Sequence, residues 1–275
     1  TSGAFSRSGV LFFSIVFPGW LQLTELMKAV SGRVVIARHK DYAFYRPSAV
    51  SIARAVVDIP LIFTQVVVFA VITYFLSSMD MVASKFFIYT LFVYVTTLCL
   101  TAMYRMFAAV SPSIDDAVRF AGVALNLLVI FVGYVIPKPL LVNKYIWFGW
   151  IYYVNPISYA YEAVITNEFS GRDMVCSDSQ LVPQGPGVSR EFQGCTLPGS
   201  EIGSITVSGS SYLTASFGYS REHLWRNFGV VIAFTVLYTL ITAIAAEKIS
   251  FAGGGGGALA FKDDERLIGI DMRKI

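Results

Sequence analysis

The chain has 275 residues, of which 55% are hydrophobic and only 14% are charged, and its mean hydropathy is +0.63. Soluble domains carry about a quarter charged residues, so the composition excludes an ordinary soluble protein and indicates one integral membrane domain. The net charge of +3 is too small to indicate nucleic-acid binding, and two His and three Cys provide no metal cluster.

Five apolar runs are close to the length of about 20 residues that a helix needs to cross a bilayer. They lie at residues 10–29, 56–76, 86–110, 120–136 and 228–246. The fold class is therefore predicted to be all-α integral membrane. Pro18 predicts a kink within the first run. Opposite charges three or four residues apart predict the pairs Glu25–Lys28 and Arg54–Asp58.

Basic residues determine the predicted topology. They cluster in residues 31–54, and a short basic loop beside spanning helices is typical of the cytoplasmic side. The segment then has its N-terminus outside and its C-terminus in the cytoplasm. Because five spans is an odd number, we expect that an earlier spanning helix is missing from this segment. Residues 1–250 form the predicted membrane domain, and residues 251–275 form a Gly-rich linker and tail.

A long polar loop at residues 170–220 falls outside the membrane in this topology. It contains Cys176 and Cys195, and two nearby thiols in oxidising surroundings favour a disulfide. Cys99 lies within an apolar run, where we expect a small buried side chain.

Residues 145–169 predict two short helices that enter the membrane and return. Asn155 and Pro156 suit the N-cap and first helical positions. A helix over residues 156–168 would be about 20 Å long, which is too short for a hydrocarbon core of about 30 Å. Polar residues at every fourth position from Ser158 predict an amphipathic helix. Aromatic residues 145–151 are typical of the headgroup level.

Glu162 is the notable ionisable residue of this stretch. A carboxylate at membrane depth is costly unless it is paired or protonated, which favours a functional role. The alternative is structural: Glu162 would join the short helices through hydrogen bonds to nearby tyrosines or backbone.

Catalytic motifs are missing from the sequence. There is no G-x-x-x-x-G-K-[ST] motif, and Gly253 to Gly257 lack the Lys and hydroxyl residue that a phosphate loop needs. We expect no catalytic site in this segment. Phe13, Phe17 and Trp20 share one helical face, which suits either the core of the bundle or a cavity for hydrophobic ligands.

Several motifs resemble the G-subfamily ABC-2 exporters, most closely the fungal pleiotropic drug resistance transporters. They occur in order along the chain as GVLFF from Gly9, RHKDYAFYRPSA from Arg38, DIP from Asp58, NPISYAYE from Asn155 and NEF from Asn167. The Gly-rich stretch and the ALAFK sequence from Ala258 resemble the link to a second nucleotide-binding domain, so the segment would be the first of two membrane halves.

The resemblance implies the membrane part of an ATP-driven exporter of hydrophobic compounds at the plasma membrane. ATP and Mg²⁺ would bind in nucleotide-binding domains elsewhere in the parent chain. A cavity shared with a second membrane half would be lined by Phe13, Phe17, Trp20, Asn126, Val129, Ile130 and Tyr134. The residues that contact a nucleotide-binding domain would be Arg38, His39, Tyr42 and Tyr45. A lipid floppase on the same scaffold, and a passive channel or receptor-like bundle, are the alternatives.

Overall fold

The computed structural model describes residues 2–144, 146–185, 188–189, 193–201 and 203–249. The Gly-rich linker and the tail predicted at residues 251–275 lie outside the described residues. The helices are α1 (Ser2–Leu21), α2 (Thr24–Ser31), α3 (Arg33–Asp41), α4 (Pro47–Leu76), α5 (Ala83–Val110), α6 (Ile114–Ile130), α7 (Ile146–Val154), α8 (Pro156–Phe169), α9 (Gly209–Phe217) and α10 (Leu224–Lys248).

Among the described residues, four helical segments are long and apolar enough to cross a membrane, which confirms the all-α membrane class. They are Ala4–Asp41, Pro47–Leu76, Ala83–Val110 and Arg221–Lys248. The fifth predicted span corresponds to α6, which has 17 residues and so lies at the lower limit for crossing. A fifth crossing therefore stays a prediction.

The position of α6 differs from the prediction of residues 120–136. The helix begins earlier because the Ser113 hydroxyl accepts the backbone N–H of Asp116 at 3.2 Å and so caps it. It ends before Gly133, whose φ of +105° is incompatible with a helix. Tyr134 consequently lies in the irregular segment after α6.

The interruption of the first helix lies one turn beyond the predicted kink at Pro18. Helix α1 continues through Pro18 to Leu21, and bonds of the i to i−3 type then join Gln22 to Gly19 and Leu23 to Trp20 at 3.1 Å. Gly19 matters here because a Cβ at this position would collide with the Leu100 side chain. The glycine thus lets α1 approach α5 closely.

Helix α5 is the centre of the bundle and packs against α1, α2, α4, α8 and α10. Hydroxyls within it bond to their own helix: Thr96, Thr97 and Thr101 each donate to the carbonyl four residues earlier at 2.7–2.8 Å. Cys99 is fully buried, as predicted. Many apolar residues of α4 and α10 remain exposed at the surface of the bundle, as a lipid-facing surface requires.

The predicted external loop has more structure than the sequence indicated. Strands β1 (Asp173–Val175) and β4 (Thr206–Ser208) pair antiparallel, as do β2 (Leu181–Val182) and β3 (Gly194–Cys195). Helix α9 follows β4. The predicted disulfide between Cys176 and Cys195 is present and joins the two ribbons.

Candidate functional site

Helix α8 is enclosed by protein on all sides. Every residue of it except Tyr159 is buried, so the amphipathic helix predicted from its polar positions is wrong. The polar face does not meet lipid or water, because α1, α5, α9 and α10 surround the helix. Its polar side chains must therefore find partners within the protein.

The start of α8 follows the prediction. The Asn155 side-chain oxygen accepts the backbone N–H of Ile157 at 3.0 Å, and Pro156 occupies the first helical position. The Asn155 amide also donates to the Leu128 carbonyl at 2.7 Å. This second bond satisfies one of the last carbonyls of α6, so one side chain caps α8 and joins it to α6.

Glu162 lies in the middle of α8 and is only 1% exposed. Its carboxylate has three partners: the Lys138 ammonium at 3.5 Å, the Tyr152 hydroxyl at 3.3 Å and the His223 ring nitrogen Nδ1 at 3.2 Å. The Lys138 ammonium also lies 5.6 Å and 5.5 Å from the ring centres of Tyr152 and Tyr219. The buried carboxylate is thus paired.

The partners of Glu162 come from three different elements. Lys138 follows α6, Tyr152 belongs to α7, and His223 immediately precedes α10. Glu162 therefore joins α8 to α7 through Tyr152 and to the beginning of α10 through His223. Sequence analysis missed Lys138 and His223, since they lie 24 and 61 residues from Glu162 and no local periodicity connects them.

A second buried charge cluster surrounds the end of α8. The Glu168 carboxylate contacts Arg7 at 3.2 Å and Arg172 at 3.0 Å. Lys85 donates to the backbone carbonyls of Glu168 and Ser170 at 3.2 Å and 2.9 Å. A hydrogen bond from Lys85 also holds the pKa of Asp80, in the turn between α4 and α5, below its usual range. These contacts fasten α8 to α1 and α5.

A third charge cluster joins α2, α4 and α5. Arg105 contacts Glu25 at 2.9 Å and forms a two-contact pair with Asp58. The predicted pair of Glu25 with Lys28 is present at 2.7 Å. The predicted Arg54–Asp58 pair is replaced by Arg105–Asp58, because Arg105 approaches from the neighbouring helix. Asp58 and Arg105 also line a mostly apolar groove of about 210 Å³ between α4, α5 and α10.

The residues proposed to line a substrate cavity fall into two groups. On α1, Phe13 and Trp20 are 50% and 55% exposed, and Phe17 stacks between Phe13 and Phe69 of α4 at 4.8 Å and 5.7 Å. On α6, Ile130 and Asn126 are exposed, and Val129 is half-buried. Phe13, Trp20, Asn126 and Ile130 are thus uncovered within the described part of the chain.

Tyr134 and Asn126 have specific local contacts. Tyr134 stacks on Phe12 at 4.9 Å and on Phe5 at 5.6 Å, so it packs against the face of α1 that carries Phe5 and Phe12. The Asn126 amide donates to the Gly122 carbonyl of its own helix at 2.9 Å. Asn126 can accept a hydrogen bond through its remaining oxygen without losing this contact.

The four residues predicted to contact a nucleotide-binding domain lie together on α3 and the turn that follows it. Helix α3 has no buried residue, and Tyr42 and Phe44 are 71% and 70% exposed. His39 Nδ1 lies 2.5 Å from the Tyr45 hydroxyl, and the rings of these two residues meet edge to face. The turn is thus ordered by its own contacts while its outer surface is uncovered. We call residues 42–46 the aromatic turn.

Metal-binding and nucleotide-binding groups were not expected in this chain. Within the described residues, no three His, Cys, Asp or Glu side chains are close enough together to hold a metal ion. The three charge clusters are paired internally. Each of the three clusters joins two or more helices.

Comparison with known proteins gives two family matches. Residues 1–169 match the family described as ABC-2 type transporter, and residues 182–267 match the family described as CDR ABC transporter. A protein named ABC multidrug transporter atrF from Aspergillus fumigatus is 69% identical over 97% of this chain, and its namesake from Aspergillus flavus is equally similar.

A second Aspergillus fumigatus protein, named ABC multidrug transporter I, is 36% identical over 96% of this chain. The chain spans only 17–18% of the length of these curated relatives.

Proposed function

Because the chain belongs to the ABC-2 type transporter family, we propose that it forms the substrate-translocating membrane domain of an ATP-driven exporter of hydrophobic compounds. Its relatives are named multidrug transporters. The observation that carries the proposal is the aromatic face of α1: Phe13 and Trp20 are half exposed on one side of this helix, where Phe13 also stacks on Phe17. Such a face suits hydrophobic ligands at an interface between two membrane halves.

The substrate cavity of this exporter would form between this chain and a second membrane half. Phe13, Phe17 and Trp20 would provide one wall, and the exposed side of α6 with Asn126, Val129 and Ile130 would provide another. Tyr134 would contribute by supporting α1 through Phe12 rather than by direct contact, since its ring stacks there. This chain would be the first of the two halves.

ATP hydrolysis would take place in separate nucleotide-binding domains, because this sequence has no phosphate-loop motif. Residues Arg38, His39, Tyr42 and Tyr45 would contact one of those domains. Their exposure supports this assignment, since a surface of uncovered aromatic side chains commonly marks a protein interface. The parent protein would lie in the plasma membrane, with the α3 side in the cytoplasm.

Glu162 would act as a strut near the outer leaflet. It joins α8 to His223 at the beginning of α10, so it would keep the short helices and the last spanning helix together while the outer side opens. Asn155 and Pro156 would fix where α8 begins.

Transport by the full-length parent protein tests the cavity. Phe17→Ala, Trp20→Ala and Asn126→Ala are expected to change the range of compounds exported and the ATP hydrolysis that those compounds stimulate. Phe63→Ala is the matched control, because Phe63 is an aromatic residue on α4 that is about as exposed as Trp20. Three unaltered cavity variants would overturn the cavity assignment.

A further inference from the structure

The end of α10 lies against the base of the aromatic turn. The Lys40 ammonium donates to the backbone carbonyl of Glu247 at 3.3 Å, and the Ser48 hydroxyl donates to the Glu247 carboxylate. Lys40 directly precedes Asp41 and the turn, whereas Ser48 follows the turn in the first turn of α4. One residue of α10 therefore contacts the chain on both sides of the aromatic turn.

In both contacts a charged side chain lies at the helix end whose partial charge has the opposite sign. The Glu247 carbonyl is one of the last carbonyls of α10, which have no partner within the helix and attract a cation such as Lys40. The Glu247 carboxylate lies at the beginning of α4, where the free backbone N–H groups favour a negative charge. The contact with Ser48 thus depends on a side-chain oxygen at position 247 that accepts a hydrogen bond, and not merely on packing.

Helix α10 is also fastened at its other end. His223, which precedes its first residue, contacts Glu162 at 3.2 Å. The 25 residues of α10 form a rod of about 37 Å at about 1.5 Å per residue. The buried charge cluster on α8 and the exposed aromatic turn are consequently connected by one uninterrupted helix.

We propose that Glu247 is a positioning residue that transmits displacement of α10 to the aromatic turn. A shift of α10 along its axis moves the attachment point of Lys40 and Ser48, and the turn between them follows. This inference rests on the proposed function, in which the turn contacts a nucleotide-binding domain. It adds the route by which the membrane helices and that contact influence each other.

Amide hydrogen exchange in the purified full-length parent protein tests the positioning. In Glu247→Ala, exchange in residues 42–50 is expected to be about two- to fivefold faster, the factor that a lost helix-end interaction provides. Ser48→Ala should give the same increase. Glu247→Gln should stay near the native rate, because the amide oxygen still accepts from Ser48. Lys248→Ala is the control, since Lys248 is exposed at the same helix end.

ATP hydrolysis in the presence of the hydrophobic dye rhodamine 6G separates the two proposals. We expect Glu247→Ala to lower hydrolysis and Glu247→Gln to restore it. Native exchange rates in Glu247→Ala would overturn the positioning role. If Glu247→Ala exchanges faster but hydrolyses ATP at the native rate, while Tyr42→Ala lowers hydrolysis, transmission through Glu247 is overturned and the contact with a nucleotide-binding domain is not. Native hydrolysis in Tyr42→Ala and Tyr45→Ala as well would overturn the proposed contact with a nucleotide-binding domain.

Discussion

The two ends of the helical bundle are held together in different ways. At the end that carries α8, carboxylates are buried and paired: Glu162 and Glu168 are 1% and 3% exposed. At the end that carries α3, no residue of that helix is buried, and the contacts of Lys40 and Ser48 with Glu247 lie at the surface. Buried pairs are costly to break, whereas surface pairs contribute little.

The two ends therefore have different roles: the α8 end stabilises the bundle, and the α3 end keeps a surface accessible to a partner. The α8 end is built so that several elements must move together, because each buried carboxylate joins three or more segments. The α3 end leaves its aromatic side chains uncovered, which suits a surface that binds a partner. Substitutions should therefore reduce stability at the α8 end and leave it unchanged at the α3 end.

Glu162→Ala should have the largest effect. Removing one partner of a buried ion pair typically costs about 3–5 kcal/mol, because the remaining charge stays buried without compensation. Here Lys138 would remain against the rings of Tyr152 and Tyr219. Thermal unfolding of the detergent-solubilised protein measures the loss. Glu201→Ala, an exposed acidic residue of the polar segment, is the control, and equal melting temperatures for the two variants would contradict the prediction.

Removal of the disulfide should rank second. The bridge between Cys176 and Cys195 closes a loop with a sequence separation of 19, for which the chain-entropy estimate is about 3 kcal/mol. Because the bridge joins only the two β-ribbons, we expect the loss to be local. Limited proteolysis should cut Cys176→Ser, Cys195→Ser within residues 170–208 while α8 stays intact. Cleavage spread through the helical bundle would indicate that the ribbons stabilise more than themselves.

Replacing either of two glycines on or near α6 by alanine is expected to change stability, but in opposite directions. Gly133→Ala should cost about 1–3 kcal/mol, since residues other than glycine are strained at its φ of +105°, and the new Cβ would also meet the Tyr219 hydroxyl. Gly122→Ala should instead stabilise by about 0.5–1 kcal/mol, because Gly122 is helical and a Cβ there has open space. Unfolding midpoints that shift in the same direction for both would refute this account.

Local rules predicted the elements that depend on neighbouring residues. The cap at Asn155, the first helical position of Pro156 and the pair of Glu25 with Lys28 were all confirmed, since each involves residues within four positions. The disulfide between Cys176 and Cys195 could be predicted because the topology placed both thiols in one loop in oxidising surroundings.

Long-range contacts account for what the sequence could not predict. Arg105 displaced Arg54 as the partner of Asp58 from 47 residues away, and the partners of Glu162 come from three elements. The polar positions of α8 were misread because in a membrane protein a polar face can point inward, toward other helices. The early end of α6 depended on the backbone angle of Gly133, and the β-ribbons were too short to leave a periodic pattern.

Phe44→Ala should have the smallest effect on stability and is the sharpest test of the comparison. Phe44 is 70% exposed, and among the described residues its ring contacts only the rings of His39 on α3 and Tyr42 in the aromatic turn. An exposed substitution of this kind changes stability by about 0.5 kcal/mol or less. The melting temperature of the variant should therefore match that of the native protein.

The same variant should nevertheless weaken ATP hydrolysis by the full-length parent protein, if the aromatic turn contacts a nucleotide-binding domain. Trp147→Ala is the matched control: Trp147 on α7 is 90% exposed but lies at the opposite end of the bundle in the proposed topology. A Phe44→Ala protein that melts early would show that the turn contributes to folding. A variant with native melting and native hydrolysis would remove Phe44 from the interface and restrict that interface to the His39 and Tyr45 side of the turn.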